Sequence, residues 1–268
     1  MTGTVCVAGL GGIGGAMARR LDECGHAVVG VDPAPTRRDE WQRETGRPAV
    51  ADVSAVEWST VRQLVVVVGT QEQAVGLLNT VAELAADELG VVIVSTVRTS
   101  FWTPVRERAP RPWRLLEAPV TGGEARARSG EITLFMHGPA AEGDRAVLDD
   151  LSGRLIEFDR YGQPSLAKLL NNTLAATNAM NVARALALAA ERGITPEVLL
   201  SALNEGSGRS MISQHLGEFS THQYELLEKD VGLLHADAPG AELGESVTDL
   251  ARVVEEALGD RSGAGGSF

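Results

Sequence analysis

The sequence is poor in aromatic residues, in cysteine and in positive charge. Aromatic residues make up 4% of its 268 positions, so the core must be built mainly from aliphatic side chains, as in α/β and helical packing. The formal net charge of −12 argues against a nucleic-acid partner, because a phosphate backbone requires a basic surface. The basic clusters at 37–38 and 106–111 are short and lie beside acidic residues, which is typical of solvated faces.

The two cysteines and the short apolar runs exclude further classes. Cys6 and Cys24 have neither the spacing of a metal site nor that of a disulfide framework, and both are predicted to be buried thiols. No basic N-terminal region precedes an apolar stretch, and the longest apolar run is far shorter than a membrane span. We therefore expect a cytoplasmic protein with no metal centre and no membrane partner.

The first 160 residues alternate apolar strand patterns with helical patterns. Strands are predicted at 4–8, 27–32, 64–68 and 91–95, and helices at 12–23 and 71–87. The last two strands are almost continuously apolar, which indicates strands covered on both faces. Strands separated by helices form βαβ units and a parallel sheet. This pattern predicts an α/β fold with a Rossmann doubly wound parallel sheet.

The pattern changes after Gly162, where strand-like runs stop. A long helix is predicted over 165–191, and further helices from Thr195, Arg209, Lys229 and Ala241, before a Gly/Ser-rich tail at 259–268. Two domains follow: an α/β domain at 1–162, and an all-α domain at 163–268 opened by a long interdomain helix.

A glycine-rich turn follows the first predicted strand and consists of Gly9, Leu10, Gly11, Gly12, Ile13 and Gly14. It fits the dinucleotide-binding pattern G-x-G-x-x-G, in which the glycines allow a tight turn, close approach of a pyrophosphate and helix packing. Asp32 ends the second strand. A carboxylate at this place accepts a hydrogen bond from a ribose hydroxyl and repels a 2′-phosphate. The domain at 1–162 is therefore predicted to be a dinucleotide-binding Rossmann domain, with NAD as the expected cofactor. NADP stays possible because Arg37 and Arg38 can serve a phosphate.

Three motifs resemble those of the 3-hydroxyisobutyrate dehydrogenase family, which is related to 6-phosphogluconate dehydrogenase. Residues 117–123, reading E-A-P-V-T-G-G, resemble its substrate loop D-A-P-V-S-G-G. Residues 162–172, with Lys168 and Asn172, resemble its catalytic motif G-x-x-x-x-x-K-x-x-N-N, and Lys229-Asp230 resembles a pair found late in the family. The resemblance implies an NAD(P)-dependent oxidoreductase that transfers a hydride to or from a small 3-hydroxy acid or its semialdehyde.

The resemblance also implies roles for individual residues. Lys168 is expected to be the general acid and base, Asn172 to hold the substrate hydroxyl or orient Lys168, and both Thr96 and Lys229 to contact the cofactor. Asp230 is expected to be structural.

The chemistry of these residues agrees with the implied roles. Lys168 and Asn172 are four residues apart and therefore share one face of a helix. An ammonium group surrounded by apolar neighbours suits proton transfer to a carbonyl oxygen. The turn of Thr121, Gly122 and Gly123 offers a hydroxyl and backbone N–H groups to a substrate carboxylate.

Several questions stay open from sequence. An imine reductase-like enzyme is one alternative, and Lys168 with the turn at 121–123 argues against it. A non-catalytic nucleotide-binding module is the other, and Lys168 with Asn172 argues against it. Glu117 in place of the usual aspartate lengthens a side chain near the substrate loop and leaves the hydroxy acid unidentified. The helix at 165–191 is apolar on most sides and needs cover, so we expect a homodimer or tetramer. The physiological direction is also undetermined.

Overall fold

The computed structural model describes residues 3–85, 88–110 and 112–259. The chain divides into two compact units after Lys168, here called the sheet unit (residues up to 168) and the helical unit (residues from 169). The division after Lys168 falls inside a long helix that begins at Gln163. The domain boundary expected from sequence, between 162 and 163, lies just before this helix and stays a prediction.

Six parallel strands form the main sheet, in the order β3-β2-β1-β4-β5-β6. Their bounds are β1 (Thr4–Ala8), β2 (Val28–Val31), β3 (Ala49–Val50), β4 (Val61–Val66), β5 (Gly90–Ile93) and β6 (Arg114–Glu117). The strand order reverses between β1 and β4, which is the Rossmann arrangement and creates a crevice at the carboxyl ends of these strands. The expected doubly wound sheet is confirmed.

Helices cover both faces of this sheet: α1 (Gly12–Glu23), α2 (Pro35–Thr45), α3 (Gln71–Leu84), α4 (Trp102–Arg108), α5 (Gly123–Ser129) and α6 (Glu142–Leu151). Successive strand residues point to opposite faces, so Val5 and Val7 of β1 join one apolar core while Cys6 and Ala8 join the other. The helix expected at 71–87 ends at Leu84, and positions 86 and 87 lie outside the described residues.

A second, small sheet was not predicted from sequence. It contains β7 (Val120–Thr121), β8 (Ile132–Met136) and β9 (Ser152–Glu157), with β7 antiparallel and β9 parallel to β8. β7 has only two residues, and β9 is partly exposed and begins Ser-Gly-Arg. Neither strand has the apolar run by which a buried strand is recognised.

The helical unit consists of most of α7 (Gln163–Ala190) and of α8 (Pro196–Glu205), α9 (Met211–His215), α10 (Thr221–Asp237) and α11 (Leu250–Leu258). The expected helix starts at Lys229 and Ala241 are wrong. Lys229 lies inside α10, whose start is set by a reciprocal cap between Ser220 and Gln223, and the next helix begins only at Leu250. The expected Gly/Ser-rich tail lies outside the described residues from position 260 onward.

The cysteines differ from each other. Cys6 is fully buried in β1, and burial raises the pKa of its thiol to about 12. Cys24, predicted to be buried, is only half-buried because it lies at the carboxyl end of α1. Across the described residues, no helix combines the length and the apolar character needed to cross a membrane.

Candidate cofactor and active site

The glycine turn between β1 and α1 has a shape that only glycine permits at two positions. Gly9 has a φ of +101°, and a Cβ there would lie 2.0 Å from the carbonyl oxygen of Val67. A Cβ on Gly14 would lie 2.0 Å from the carbonyl oxygen of Gly9. Gly11, the residue before α1, has no side chain with which to cap the helix. The amino end of α1 therefore suits the pyrophosphate of a dinucleotide.

Asp32 is part of the glycine turn rather than an open acceptor. It is 2% exposed, and its Oδ2 accepts the backbone N–H of Leu10 at 2.8 Å. Its Oδ1 accepts the N–H of Ala34 at 2.9 Å, and Arg37 Nη1 lies 3.3 Å from Oδ2. Asp32 thus ties the turn to the end of β2. Its contact with a ribose hydroxyl stays a prediction.

From sequence, Arg37 was interpreted as part of a solvated basic cluster that could also serve a phosphate. Its side chain is half-exposed, and Nη1 lies 3.3 Å from the place that a Cβ of Gly11 would occupy. Arg38 donates from Nη1 to the backbone carbonyls of Asp32 and Pro33, at 2.7 and 2.8 Å. Two guanidinium groups therefore flank the end of β2, one of them beside the glycine turn.

The expected substrate turn lies next to the glycine turn within the sheet unit. Thr121 ends β7, and Gly122 and Gly123 have φ of +131° and +78°, a conformation that favours glycine. The next residue, Glu124, points its carboxylate toward the glycine turn, where a Cβ on Gly12 would meet Oε2 at 2.5 Å. Glu124 was not predicted from sequence, since an acidic residue after two glycines matches no known motif.

Thr96 is half-buried, three residues beyond the end of β5. Its neighbour Ser95 is buried and joins the two strand ends: Ser95 Oγ accepts the N–H of Val68 at 2.8 Å and donates to the carbonyl of Val66 at 3.3 Å. Ser95 therefore shapes the edge of the crevice beside Thr96, a role that no sequence pattern indicated.

Lys168 is half-buried in the second turn of α7, at the end of the sheet unit. Lys168 and Lys229 are the two lysines of the chain, in which every other member of the 24 Lys and Arg residues is arginine. Arginine keeps its proton at any ordinary pH, whereas lysine can release it when its surroundings lower its pKa. The residue type suited to proton transfer therefore occurs at the two positions that the motifs single out.

Glu117 is fully buried at the end of β6 and binds the first turn of α7. Its Oε2 accepts the N–H of Gly162 at 2.6 Å, and its Oε1 accepts both the N–H and the hydroxyl of Ser165, at 2.7 and 2.6 Å. Burial raises the pKa of Glu117, and these hydrogen bonds oppose the rise. Sequence analysis placed this longer side chain near the substrate loop but did not predict its partners, and the carboxylate faces α7.

Asn172 and Lys229 meet at one carboxylate in the helical unit. Asn172 Nδ2 donates to Asp230 Oδ2 at 2.6 Å, and Lys229 Nζ lies 3.4 Å from Asp230 Oδ1. Asp230 is 3% exposed. The structure thus brings Asn172 of α7 together with the late Lys-Asp pair. The motifs indicated both segments, but the contact between Asn172 and Asp230 could not be deduced from their spacing.

Family models match almost all of the chain. The model described as the NAD binding domain of 6-phosphogluconate dehydrogenase matches residues 4–155. The model described as NAD-binding of NADP-dependent 3-hydroxyisobutyrate dehydrogenase matches residues 162–266.

Characterised relatives and solved structures agree with these models. The chain is 28% identical to 3-hydroxyisobutyrate dehydrogenase of Pseudomonas aeruginosa, over 91% of this chain and 88% of the relative. It is 29% identical to L-threonate dehydrogenase of Cupriavidus necator, over 80% and 74%. The structure of 3-hydroxyisobutyrate dehydrogenase from Salmonella typhimurium matches with a TM-score of 0.77 and 25% identity, covering 95% of this chain and 91% of that one.

Proposed function

The chain belongs to the 3-hydroxyisobutyrate dehydrogenase family, and from this premise we propose that it is an NAD(P)-dependent dehydrogenase of a small 3-hydroxy acid, with Lys168 as general acid and base. The observation that carries the proposal is the match of both family models in the order expected of such an enzyme. The glycine turn and the retained lysines support it independently.

The residues present fit a dinucleotide. Gly9 and Gly14 leave space that a Cβ would fill, and α1 begins without a side-chain cap. The whole turn, Gly9 to Gly14, is proposed to hold the pyrophosphate, with Asp32, Thr96 and Lys229 as further contacts. When bound, the nicotinamide accepts or supplies the hydride.

Lys168 is proposed to move the proton that accompanies hydride transfer. In the oxidative direction its neutral amine takes the proton of the substrate hydroxyl while the carbon–oxygen double bond forms. In the reductive direction its ammonium returns a proton to the carbonyl oxygen. Asn172, held by Asp230, has a fixed amide that can orient the hydroxyl or Lys168. Thr121, Gly122 and Gly123 are proposed to bind the substrate carboxylate.

The direct test is a screen of short 3-hydroxy acids, including 3-hydroxyisobutyrate and L-threonate, with both cofactors, following the absorbance of the reduced nicotinamide. We expect turnover with at least one hydroxy acid. Cofactor binding without turnover of any hydroxy acid or semialdehyde would support the non-catalytic module instead, and turnover restricted to imines would support the imine reductase.

NAD is proposed to bind more tightly than NADP, because Asp32 places a carboxylate at the end of β2. The guanidinium of Arg37 should favour NADP, because it can attract a 2′-phosphate. The preference for NAD over NADP should therefore increase when Arg37 is replaced by alanine. Titration of the tryptophan fluorescence with each cofactor measures both affinities. Tenfold tighter binding of NADP by the wild type, about 1.4 kcal/mol, would contradict the proposal.

The protein is also proposed to form a homodimer or tetramer through the helical unit. On α7, Leu170, Leu174 and Leu188 are exposed, although Leu169, Met180 and Leu186 are buried. Leu170 and Leu174 are one turn apart and share a face. Apolar side chains grouped on one helix face favour cover by a second copy.

A further inference from the structure

The first turn of α7 is attached to the sheet by a buried carboxylate. A helix begins with N–H groups that have no partner within the helix, and a buried helix end needs other acceptors for them. In α7 the preceding residue is Gly162, which has no side chain for this purpose. Its N–H and that of Ser165 are both satisfied by Glu117, which comes from β6.

The remaining N–H groups of this turn have partners too. Gln163 donates to the carbonyl of Arg160 at 3.2 Å, Pro164 has no N–H, and Leu166 donates to the carbonyl of Gly162 at 2.9 Å. Glu117 is therefore the one carboxylate among the described acceptors of this turn. A negative charge at the amino end of a helix also interacts favourably with the helix dipole.

Both partners of this attachment make further hydrogen bonds within the sheet unit. Glu117 exchanges two backbone hydrogen bonds with His137, at 2.8 and 3.0 Å, while its strand pairs with β5. The hydroxyl of Ser165 donates to Glu117 and accepts Trp102 Nε1 at 3.2 Å, which links the turn to α4 as well. Lys168 follows Ser165 by three residues, one turn later on the same helix.

We propose that Glu117 is a positioning residue for Lys168: its carboxylate holds the first turn of α7 against the end of β6 and so sets where the lysine amine lies. The proposal rests on the proposed function of Lys168. A displacement of about 1 Å can cost a reaction up to about 10²-fold in rate. A change at Glu117 therefore lowers kcat without touching cofactor or substrate.

The test compares Glu117→Gln with Asp144→Asn. Asp144 is an equally buried carboxylate of the sheet unit that accepts the N–H of Ala141 at the start of α6 and pairs with Arg114 at 2.6 Å, but has no bond to α7. In Glu117→Gln the amide keeps one acceptor oxygen and turns an NH₂ group toward an N–H donor. We expect kcat to fall about tenfold or more, with the dissociation constant of NAD(P) within about twofold of wild type. Asp144→Asn should lose stability but keep kcat, measured below the unfolding temperature of all variants.

A second readout follows the lysine directly. Reductive methylation with ¹³C-formaldehyde labels the two lysines and the α-amino group, and a Lys229→Arg sample assigns the Lys168 signal in the NMR spectrum. We expect Glu117→Gln to shift the Lys168 signal and to leave that of Lys229 unchanged, while Asp144→Asn shifts neither. A kcat within twofold of wild type, or a Lys168 signal that moves no further than in Asp144→Asn, would overturn the proposal.

Ser165→Ala provides the same test where Glu117→Gln does not fold, since it removes one of the three hydrogen bonds. We expect Ser165→Ala to lower kcat less than Glu117→Gln does and to shift the Lys168 signal. An unchanged Lys168 signal would overturn the proposal that Glu117 positions Lys168. Lys168→Ala separates the two hypotheses. If that variant keeps its turnover, the proposed role of Lys168 fails, whereas the methyl-lysine signal still reports whether Glu117 positions the residue.

Discussion

The sheet unit and the helical unit differ in how many large apolar side chains they expose. Among the described residues of the sheet unit, Leu84 and Leu166 are the exposed large apolar side chains. The helical unit is smaller, yet it exposes seven: Leu170, Leu174, Leu188, Ile194, Val198, Met211 and Leu226. Helices on both faces of a sheet cover it, whereas an apolar helix such as α7 needs neighbours on every side.

The two units also differ in how they use buried charge. The sheet unit buries three carboxylates with named partners: Asp32 at the glycine turn, Glu117 at α7 and Asp144 beside Arg114. In the helical unit the buried carboxylate among the described residues is Asp230. Paired buried charges hold loops and helix ends in fixed places. Among the described residues, the sheet unit therefore contains most of the buried carboxylates and the helical unit most of the exposed large apolar side chains, and for this reason the proposed assembly surface is assigned to the helical unit.

Replacing Lys168 with alanine should have the largest effect. We expect turnover to fall by roughly 10²–10⁴-fold, the usual contribution of a positioned proton-transfer group, with little change in cofactor affinity or in oligomeric mass. Arginine should not rescue it, because a guanidinium cannot exchange a proton near neutral pH. Steady-state kinetics, fluorescence titration and light scattering measure the three quantities. Turnover within tenfold of wild type would make Lys168 a structural cation and Lys229 the next candidate.

Replacing Gly14 with alanine tests whether the glycine turn depends on its shape. The new Cβ would collide with the carbonyl oxygen of Gly9, so we expect NAD(P) affinity to fall at least about tenfold, or about 1.4 kcal/mol. Gly76 in α3 is the matched control, since a Cβ there meets nothing within 4 Å. Gly76→Ala should stabilise the protein by about 0.4–1 kcal/mol and leave binding unchanged. Equal affinities of both variants would show that the turn tolerates a side chain.

Replacing Leu174 with glutamate tests the assembly surface. Leu174 is 51% exposed, and in a monomer such a change alters stability by about 0.5 kcal/mol or less. In the proposed oligomer it places a charge in an interface, and sedimentation should then show particles nearer the 28.3 kDa of one chain. Leu84→Glu, in the sheet unit, is the control, and this variant should sediment like the wild type. If the wild type already sediments as one chain at micromolar concentration, the proposed assembly surface is wrong.

The smallest expected effect is the pH dependence that Glu117 gives to stability. Burial raises its pKa above the ordinary value of 4.5, so the folded protein holds this proton more tightly than the unfolded chain does. The pH-dependent stability that this raised pKa contributes is fully present below about pH 4.5 and is lost as pH rises through the raised pKa. The excess unfolding free energy of wild type over Glu117→Gln should therefore shrink as pH rises. Urea denaturation at several pH values measures it, and a constant or growing excess would contradict the raised pKa.

The local elements could be read from sequence because their signals are local. β1, the glycine turn and α1 follow one another within 20 residues, and the apolar run, the glycine spacing and the helical period each indicate one structure. The start of α8 after Thr195 was likewise predicted from its Thr-Pro-Glu pattern. The residue types of the site, Lys168 and Asn172 above all, were recognised from motifs.

What depends on distant partners was decided only by the tertiary structure. Glu117 meets Ser165 across 48 residues and Asn172 meets Asp230 across 58, and the second sheet joins short strands with no apolar run of their own. A sequence pattern reports periodicity along one segment, whereas a buried carboxylate is placed by whichever donors the folded chain brings to it. The sequence alone therefore determined the fold class and the residue types of the proposed site. The packing of distant segments determined which of these residues form hydrogen bonds with each other.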